Sequence, residues 1–285
     1  MALAASDMID VFRSVDEVNR VSQRARPSSS SSQLMTDRDF SWLTGGLWVV
    51  LLGAYAIRVA RYGGFRSERV VGVGGTVMVG ENIMQATYWA IEPVVKALVR
   101  LGATPDGVTY AALVLGLGAG AALACGRFGL ACLLATCSTI SDILDGQVAR
   151  LTNTGSNAGE LLDAAVDRYT EFAFIAGFIL FARGSAMQLA LALGALLASF
   201  MISYASAKAE AAQVSTPRGL MRRHERATFL VLGAGLTPVL GPVIHAKWPA
   251  LPTTTAFLVS LGIVGGIGNW AALQRLVRIH RALQR

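Results

Sequence analysis

The sequence has few charged residues for its length. Only 15% of its 285 residues are Asp, Glu, Lys or Arg, against about 25% in soluble globular domains. Hydrophobic residues make up 53% of the chain, and after residue 106 long apolar runs alternate with short polar breaks. A soluble globule of this composition would lack the polar surface needed to cover itself. The composition therefore predicts an all-α integral membrane protein.

The chain also lacks a cysteine framework and the pattern of a signal peptide. Its three cysteines have neither zinc-ligand spacing nor an evident disulfide pattern, so we interpret them as packing residues. No apolar run follows the start closely enough for a signal peptide. The net charge of +7 would favour a nucleic-acid partner in a soluble protein. In a membrane protein the positive-inside rule accounts for it, and we expect no nucleic-acid partner.

Composition divides the chain into three predicted parts. Residues 1–39 are polar and Ser-rich, which predicts a disordered tail. Residues 40–85 contain an extra N-terminal apolar stretch over 41–57 and a Gly-rich connector. The stretch is a membrane span, an interfacial helix or a partly buried helix, since its length is marginal. Residues 86–285 are predicted to form the membrane domain, which begins with an interfacial amphipathic helix.

The membrane domain is predicted to continue as a six-helix transmembrane core. The spans lie near residues 107–124, 128–149, 160–182, 186–207, 227–244 and 254–275. Lysine and arginine are concentrated in the 208–226 connection and the C-terminal tail, whereas the breaks on the opposite side hold one each. The positive-inside rule therefore places the 150–159 turn and the 208–226 loop in the cytoplasm.

Four aspartates lie inside two of these spans, where a charge is costly and indicates a functional site. Asp142 and Asp145 are three residues apart near the end of the second span. Asp163 and Asp167 are four residues apart in the third span. Each pair therefore lies on one face of its helix. The short turn between the spans makes them antiparallel neighbours, so the two pairs can face each other.

Four carboxylates in one pocket repel one another, by about 4 kcal/mol for two charges 4 Å apart at an effective dielectric of 20. Arg150 and Arg168 are their basic neighbours in sequence and cannot neutralise four acids. A divalent cation resolves the conflict, and all-oxygen ligands select magnesium, manganese or calcium. Magnesium commonly keeps substrate phosphates in its shell, which favours a phosphate-bearing substrate. A metal-ion or solute transporter that uses the acidic cluster is the alternative from another class.

The aspartates belong to a longer motif that closely resembles that of the CDP-alcohol phosphotransferase family, also called CDP-alcohol phosphatidyltransferases. The family pattern is Asp, two residues, Asp-Gly, two residues, Ala-Arg, eight residues, Gly, three residues, Asp, three residues, Asp. All the fixed positions match here, at Asp142, Asp145, Gly146, Ala149, Arg150, Gly159, Asp163 and Asp167. The resemblance covers about residues 86–285 and implies an interfacial helix followed by six spans.

The resemblance implies roles for the matched positions. The four aspartates would hold one or two Mg²⁺ or Mn²⁺ ions, and Asp167 would be the catalytic general base, although chemistry alone does not choose it over Asp163. The CDP-binding residues would be Gly146, Ala149, Arg150 and Gly159. The implied enzyme of phospholipid biosynthesis transfers a phosphatidyl group from CDP-diacylglycerol to a polar alcohol and releases CMP. Transfer from a soluble CDP-alcohol to a lipid alcohol is the alternative, and a homodimer is also implied.

The segment after the fourth span is similar to that of bacterial phosphatidylinositol phosphate synthases. The matching runs are Ser203-Tyr204, Ala207-Lys208-Ala209-Glu210, Gly219-Leu220 and Arg223-His224-Glu225-Arg226. The acceptor-binding residues that follow from this match are Ser203, Lys208, Arg223 and Arg226. Ser206 replaces an expected lysine and Asn269 an expected arginine, so the acceptor is inositol phosphate or an alcohol with less negative charge. Topology alone also accounts for a basic loop here.

Overall fold

The structure is a computed structural model that describes residues 35–63, 65, 80–214 and 219–284. Over these residues it contains α-helices and no β-strand, which confirms the predicted all-α class. The helices are α1 (Asp37–Tyr62), α2 (Glu81–Arg100), α3 (Pro105–Ala124), α4 (Phe128–Thr152), α5 (Asn157–Phe181), α6 (Ala186–Ala211), α7 (Arg223–Lys247) and α8 (Thr255–Leu283). Most of the predicted tail and most of the Gly-rich connector lie outside the described residues.

Helix α1 begins at a capping box, in which backbone and side-chain groups of Thr36 and Asp39 bond each other. The Thr36 hydroxyl accepts a hydrogen bond from the Asp39 amide, and the Asp39 carboxylate accepts one from the Thr36 amide at 2.8 Å. The helix therefore starts inside the 1–39 range assigned to the tail. It has 26 residues, or about 39 Å at 1.5 Å per residue. That length exceeds the 41–57 stretch and is enough to cross a bilayer core of about 30 Å.

A polar anchor joins α1 to the start of α4. The Asp37 carboxylate accepts hydrogen bonds from the backbone amides of Gly129 and Leu130, at 3.0 and 3.1 Å. These amides have no partner within their own helix, and a carboxylate there is also favoured by the helix dipole. A Cβ atom on Gly129 would lie 1.9 Å from the Asp37 carbonyl oxygen. Glycine therefore permits the close approach of α1 and α4.

Helix α2 is the amphipathic helix that the sequence predicts, and it begins at Glu81 rather than residue 86. Its buried side chains Ile91 and Val95 pack in one apolar cluster with Val108 of α3 and Leu144 of α4. Its opposite face is exposed and carries an ion pair of 2.7 Å between Glu92 and Lys96. This division of the surface suits a helix that lies at a membrane boundary.

Helices α3 to α8 form a bundle in which successive helices run in opposite directions. The loops after α4 and α6 and the ends of α4, α6 and α8 therefore lie at one end of the bundle, which we call the site end. An aromatic cluster fills the bundle near the other end, with Phe128, Phe174, Phe178 and Phe257 at ring-centroid distances of 4.8–6.2 Å. The apolar packing of the bundle is thus separated from the polar groups described below.

Glycine brings α3 and α5 into direct backbone contact. A Cβ atom at Gly120 would lie 2.3 Å from the carbonyl oxygen of Ala173, and one at Gly177 would lie 2.0 Å from the carbonyl oxygen of Gly120. Small residues at helix contacts are typical of membrane bundles, where close backbone packing stabilises the assembly. The two glycines therefore set the distance between α3 and α5.

Among the described residues, six helices are long and apolar enough to cross a membrane. They are α1, α3, α4, α6, α7 and α8. Helix α5, predicted as a span over 160–182, is not among them because its first 15 residues carry Glu160, Asp163, Asp167, Arg168 and Glu171. It nevertheless packs inside the bundle against α3 and α6. The bundle therefore encloses one helix that is polar over its first 15 residues.

Candidate active site

Three of the predicted metal ligands converge at the site end of the bundle. Asp142 lies in the second half of α4, and Asp163 and Asp167 lie in the first half of α5. Asn153, with φ 54° and ψ 35°, ends α4, and the Ser156 hydroxyl accepts a hydrogen bond from an α5 amide. This tight turn folds α5 back along α4. One carboxylate oxygen from each of the three aspartates then lies within 4.8 Å of the others.

The geometry of these carboxylates fits a hard divalent cation. An octahedral Mg²⁺ ion binds oxygen at about 2.1 Å, so ligands on opposite sides of it are about 4.2 Å apart. Asp142, Asp163 and Asp167 meet this requirement with little movement. The Asp163 Oδ1 atom is buried and has no hydrogen-bond partner among the described residues. A buried oxygen of this kind is costly unless it gains a partner, and a cation would provide one.

The fourth predicted metal ligand, Asp145, lies outside this group of three. Its side chain is buried and accepts a 2.7 Å hydrogen bond from the Thr109 hydroxyl of α3. Thr109 thereby ties α3 to the acidic face of α4. The sequence analysis missed Thr109, because nothing in the local pattern pairs a threonine with an aspartate 36 residues away. Metal binding by Asp145 stays a prediction.

Arg223, the first residue of α7, lies inside the acidic cluster. Its Nη1 atom donates hydrogen bonds to both carboxylate oxygens of Asp142, at 2.9 and 2.8 Å, and its Nη2 atom forms an ion pair with Asp167. Arg168 also contacts Asp167, at 3.4 Å. The inference that the aspartates lack basic partners beyond their sequence neighbours was therefore wrong. Two guanidinium groups still leave the three converging carboxylates with an excess of negative charge.

A second arginine of α7 forms a separate, deeper ion pair. The Arg226 Nε and Nη2 atoms donate to the two carboxylate oxygens of Glu171 at 2.8 and 2.9 Å, and Nη1 donates to the Met221 carbonyl at 3.0 Å. Arg226 is 1% exposed. In this geometry its guanidinium is committed to protein groups, so acceptor binding by Arg226 stays a prediction without support here. The Arg226–Glu171 pair joins α7 to α5 one turn below Asp167.

The other predicted acceptor residues lie on the second half of α6. Ser203 is half-buried, and Lys208 is exposed with its ammonium 5.7 Å from the centroid of the Tyr204 ring. Their part in acceptor binding stays a prediction.

An unexpected arginine accompanies the serine that replaces the expected lysine. Arg275 Nη1 donates a 3.0 Å hydrogen bond to the Ser206 hydroxyl, and Nη2 donates to the Leu220 carbonyl at 3.0 Å. Arg275 was predicted to belong to the basic C-terminal tail, but it lies within α8, which continues to Leu283. Asn269, by contrast, bonds the Gly194 carbonyl at 2.9 Å and therefore joins α8 to α6.

The predicted nucleotide-binding residues lie on α4 and α5, the two helices that carry the aspartates. Gly146 and Ala149 follow Asp142 at helical spacings that place them on its face of α4, and both are half-buried. Arg150 is exposed near the end of α4. Gly159 lies in the first turn of α5, where a Cβ atom would be 3.8 Å from an Asp106 carboxylate oxygen. Contact of these residues with a nucleotide stays a prediction.

Comparison with known proteins agrees with this arrangement. The sequence profile of CDP-alcohol phosphatidyltransferases matches residues 103–272, which is more than half of the chain. A phosphatidylinositol phosphate synthase from Mycolicibacterium smegmatis is 34% identical over 160 residues, 55% of this chain and 71% of that protein. One from Cutibacterium acnes is 30% identical over 213 residues, 69% of this chain and 96% of that protein.

The fold is also similar to a solved structure. The crystal structure of Mycobacterium tuberculosis phosphatidylinositol phosphate synthase with CDP-DAG bound has a TM-score of 0.57 and 26% identity, covering 66% of this chain and 92% of that one. The same enzyme in complex with manganese and citrate has the same TM-score and identity. The matched profile, the relatives and the carboxylate hairpin together establish that the chain belongs to the CDP-alcohol phosphatidyltransferase family.

Proposed function

We propose that the chain transfers a phosphatidyl group from CDP-diacylglycerol to the hydroxyl of a polar alcohol, with inositol phosphate as the favoured acceptor. The observation that carries this proposal is the convergence of Asp142, Asp163 and Asp167 at the site end. The acidic cluster belongs to the motif of an enzyme family, so the transporter alternative has lost its support.

In the proposed reaction the acceptor hydroxyl oxygen attacks the lipid-side phosphorus of the donor. A bond forms between this oxygen and phosphorus, the bond from phosphorus to the bridging oxygen breaks, and CMP leaves with that oxygen. A bound Mg²⁺ or Mn²⁺ ion would neutralise the charge that builds on the diphosphate. Asp142 and Asp163, with Asp145 beside them, would hold the ion, and Asp167 would also take the proton of the hydroxyl.

The residues at the site end offer cationic groups to an anionic acceptor. Arg275 lies at Ser206, where the expected lysine is missing, and its guanidinium also donates to the Leu220 carbonyl in the 219–222 loop that precedes Arg223. A planar guanidinium is well suited to bind a phosphate through two hydrogen bonds. This geometry favours inositol phosphate over inositol. We expect Arg275→Gln to raise the KM for inositol phosphate by about tenfold, as befits the loss of a charged hydrogen bond.

The test is release of CMP from CDP-diacylglycerol by the purified chain with a panel of acceptors. Inositol phosphate, inositol, glycerol phosphate and serine separate anionic from neutral and zwitterionic alcohols. We expect release with inositol phosphate in the presence of Mg²⁺ or Mn²⁺, and none in Asp142→Ala or Asp163→Ala. Undiminished release in either variant would contradict the proposal, and so would release from CDP-ethanolamine with a lipid acceptor in place of CDP-diacylglycerol.

We further propose that the site end faces the cytoplasm and that residues 86–285 are the catalytic domain. The supporting observation is the distribution of basic residues. Arg150, Lys208, Arg222 and Arg278 belong to the site end, whereas the connections at the other end hold one each, at Arg127, Arg183 and Lys247. Labelling of single cysteines introduced at each end in intact cells would test the orientation. The homodimer that the resemblance implies also stays a prediction, to be tested by light scattering of the detergent-solubilised chain.

A further inference from the structure

The position of Arg223 raises the question of how a cation enters the acidic cluster. Its guanidinium bridges Asp142 of α4 and Asp167 of α5. With Asp163, these are the carboxylates whose oxygens lie within 4.8 Å of one another. Both oxygens of Asp142 already accept hydrogen bonds from Arg223. A divalent ion bound to the same oxygens would meet the positive charge of the guanidinium at close range, and like charges at that distance repel strongly.

Arg223 leaves the cluster incompletely satisfied. The Asp163 Oδ1 atom remains buried without a hydrogen-bond partner among the described residues. Arg223 and the more distant Arg168 together also cannot balance the carboxylates of Asp142, Asp163 and Asp167. A divalent ion supplies more charge and can bind all three carboxylates at once. The guanidinium therefore stabilises the cluster, but less completely than the ion would.

Arg226, the neighbouring arginine of α7, forms a more deeply buried ion pair than Arg223. The side chain of Arg226 is 2% exposed and also bonds a backbone carbonyl. The side chain of Arg223 is 29% exposed. Because Arg223 is the first residue of α7 and partly faces solvent, its side chain can withdraw without movement of the helix.

We propose that Arg223 is a tethered counter-cation that competes with the divalent ion for Asp142 and Asp167 and leaves the cluster when the ion binds. The proposal rests on the proposed function, because it takes the carboxylates as the site of the catalytic ion. Arg223 keeps the acidic helices together before the ion enters. Arg223 thus lowers the affinity of the site for the ion and is a positioning residue.

The affinity test measures Mn²⁺ binding to the purified full chain in detergent, without substrate, by the electron paramagnetic resonance signal of the free ion. Removal of the competitor in Arg223→Gln is expected to lower the Kd for Mn²⁺ by about tenfold, given the strength of charged hydrogen bonds. Arg223→Lys keeps the positive charge but lacks the planar guanidinium, so its Kd for Mn²⁺ should lie between those of the unchanged chain and Arg223→Gln. An unchanged or higher Kd in Arg223→Gln would overturn the proposal.

The stability test compares melting temperatures in chelator and in saturating Mn²⁺. We expect Arg223→Gln to melt below the unchanged chain in chelator and close to it in Mn²⁺, because the ion replaces the lost charge. Arg226→Gln is the matched control, and its deficit should be the same in both conditions. An equal deficit for Arg223→Gln in both conditions would show a purely structural salt bridge and would also overturn the proposal.

Measurement of CMP release in parallel separates this inference from the proposed function. If the unchanged chain releases CMP and the Kd for Mn²⁺ is unaltered in Arg223→Gln, the replacement of Arg223 by the ion is rejected and the proposed function is not. The predicted change in Kd without any CMP release, with every donor and acceptor tried, would reject the function and retain that replacement.

Discussion

The backbone contact between α3 and α5 allows the geometry of the site to be perturbed without any change in its chemistry. In Gly177→Ala the new Cβ atom would lie 2.0 Å from the Gly120 carbonyl oxygen. A carbon–oxygen contact is normally no closer than about 3.3 Å, so the helices must separate by about 1.3 Å. Overpacking of this kind costs about 1–3 kcal/mol in stability. Gly177 is ten residues from Asp167 on α5, or about 15 Å along the helix, and a stiff helix transmits the displacement to Asp167. There a displacement of about 1 Å lowers the rate by about 100-fold.

We therefore expect Gly177→Ala to melt at a lower temperature and to release CMP about 100 times more slowly than the unchanged chain. The rate is measured well below the melting temperature of the variant, so that unfolding does not account for the loss. Gly266→Ala is the control, because Gly266 is exposed on α8 and a Cβ atom there would have nothing within 4 Å. A normal rate in folded Gly177→Ala would refute the idea that the α3–α5 distance sets the site.

Three further substitutions test single contacts. Thr109→Val leaves the buried Asp145 oxygen without its donor and should cost about 1–3 kcal/mol by thermal or chemical denaturation, whereas Thr109→Ser should retain most of the stability. Glu171→Gln should destabilise the fold by about 3–5 kcal/mol, because it leaves the buried charge of Arg226 without its counter-charge. Asp37→Asn should cost about 1 kcal/mol by weakening the cap on α4, while CMP release at low temperature stays unchanged.

The parts of the site that the sequence predicts are those that depend on local spacing. Asp142 and Asp163 lie on consecutive helices, and the short turn over 153–156 reverses the chain so that their carboxylates converge. The helical class follows in the same way from apolar runs long enough to cross a bilayer. The family motif then adds roles for particular positions, which no spacing argument alone provides.

The contacts that the sequence does not predict are those between distant helices. Arg223 is 81 residues from Asp142, and its entry into the acidic cluster depends on how α7 packs against α4. Arg275 looked like part of a basic tail, because the apolar run of α8 ends before the helix does. The ion pair between Glu171 and Arg226 was likewise not predicted from the sequence. Each of these contacts joins residues that are far apart in the sequence. No local pattern predicts them, and they become visible only when the helices are packed.

The polar first half of α5 has a consequence for how the protein enters the membrane. Insertion scales assign about 2.5–3.5 kcal/mol to a charged residue at the centre of a span, and Asp163, Asp167 and Glu171 all lie in this helix. The helix would therefore be a poor insertion signal when synthesised alone. It becomes stable in the bilayer when α4 and α7 shield its carboxylates and Arg223 and Arg226 pair with them. Stable insertion of α5 is thus coupled to the packing that assembles the candidate active site.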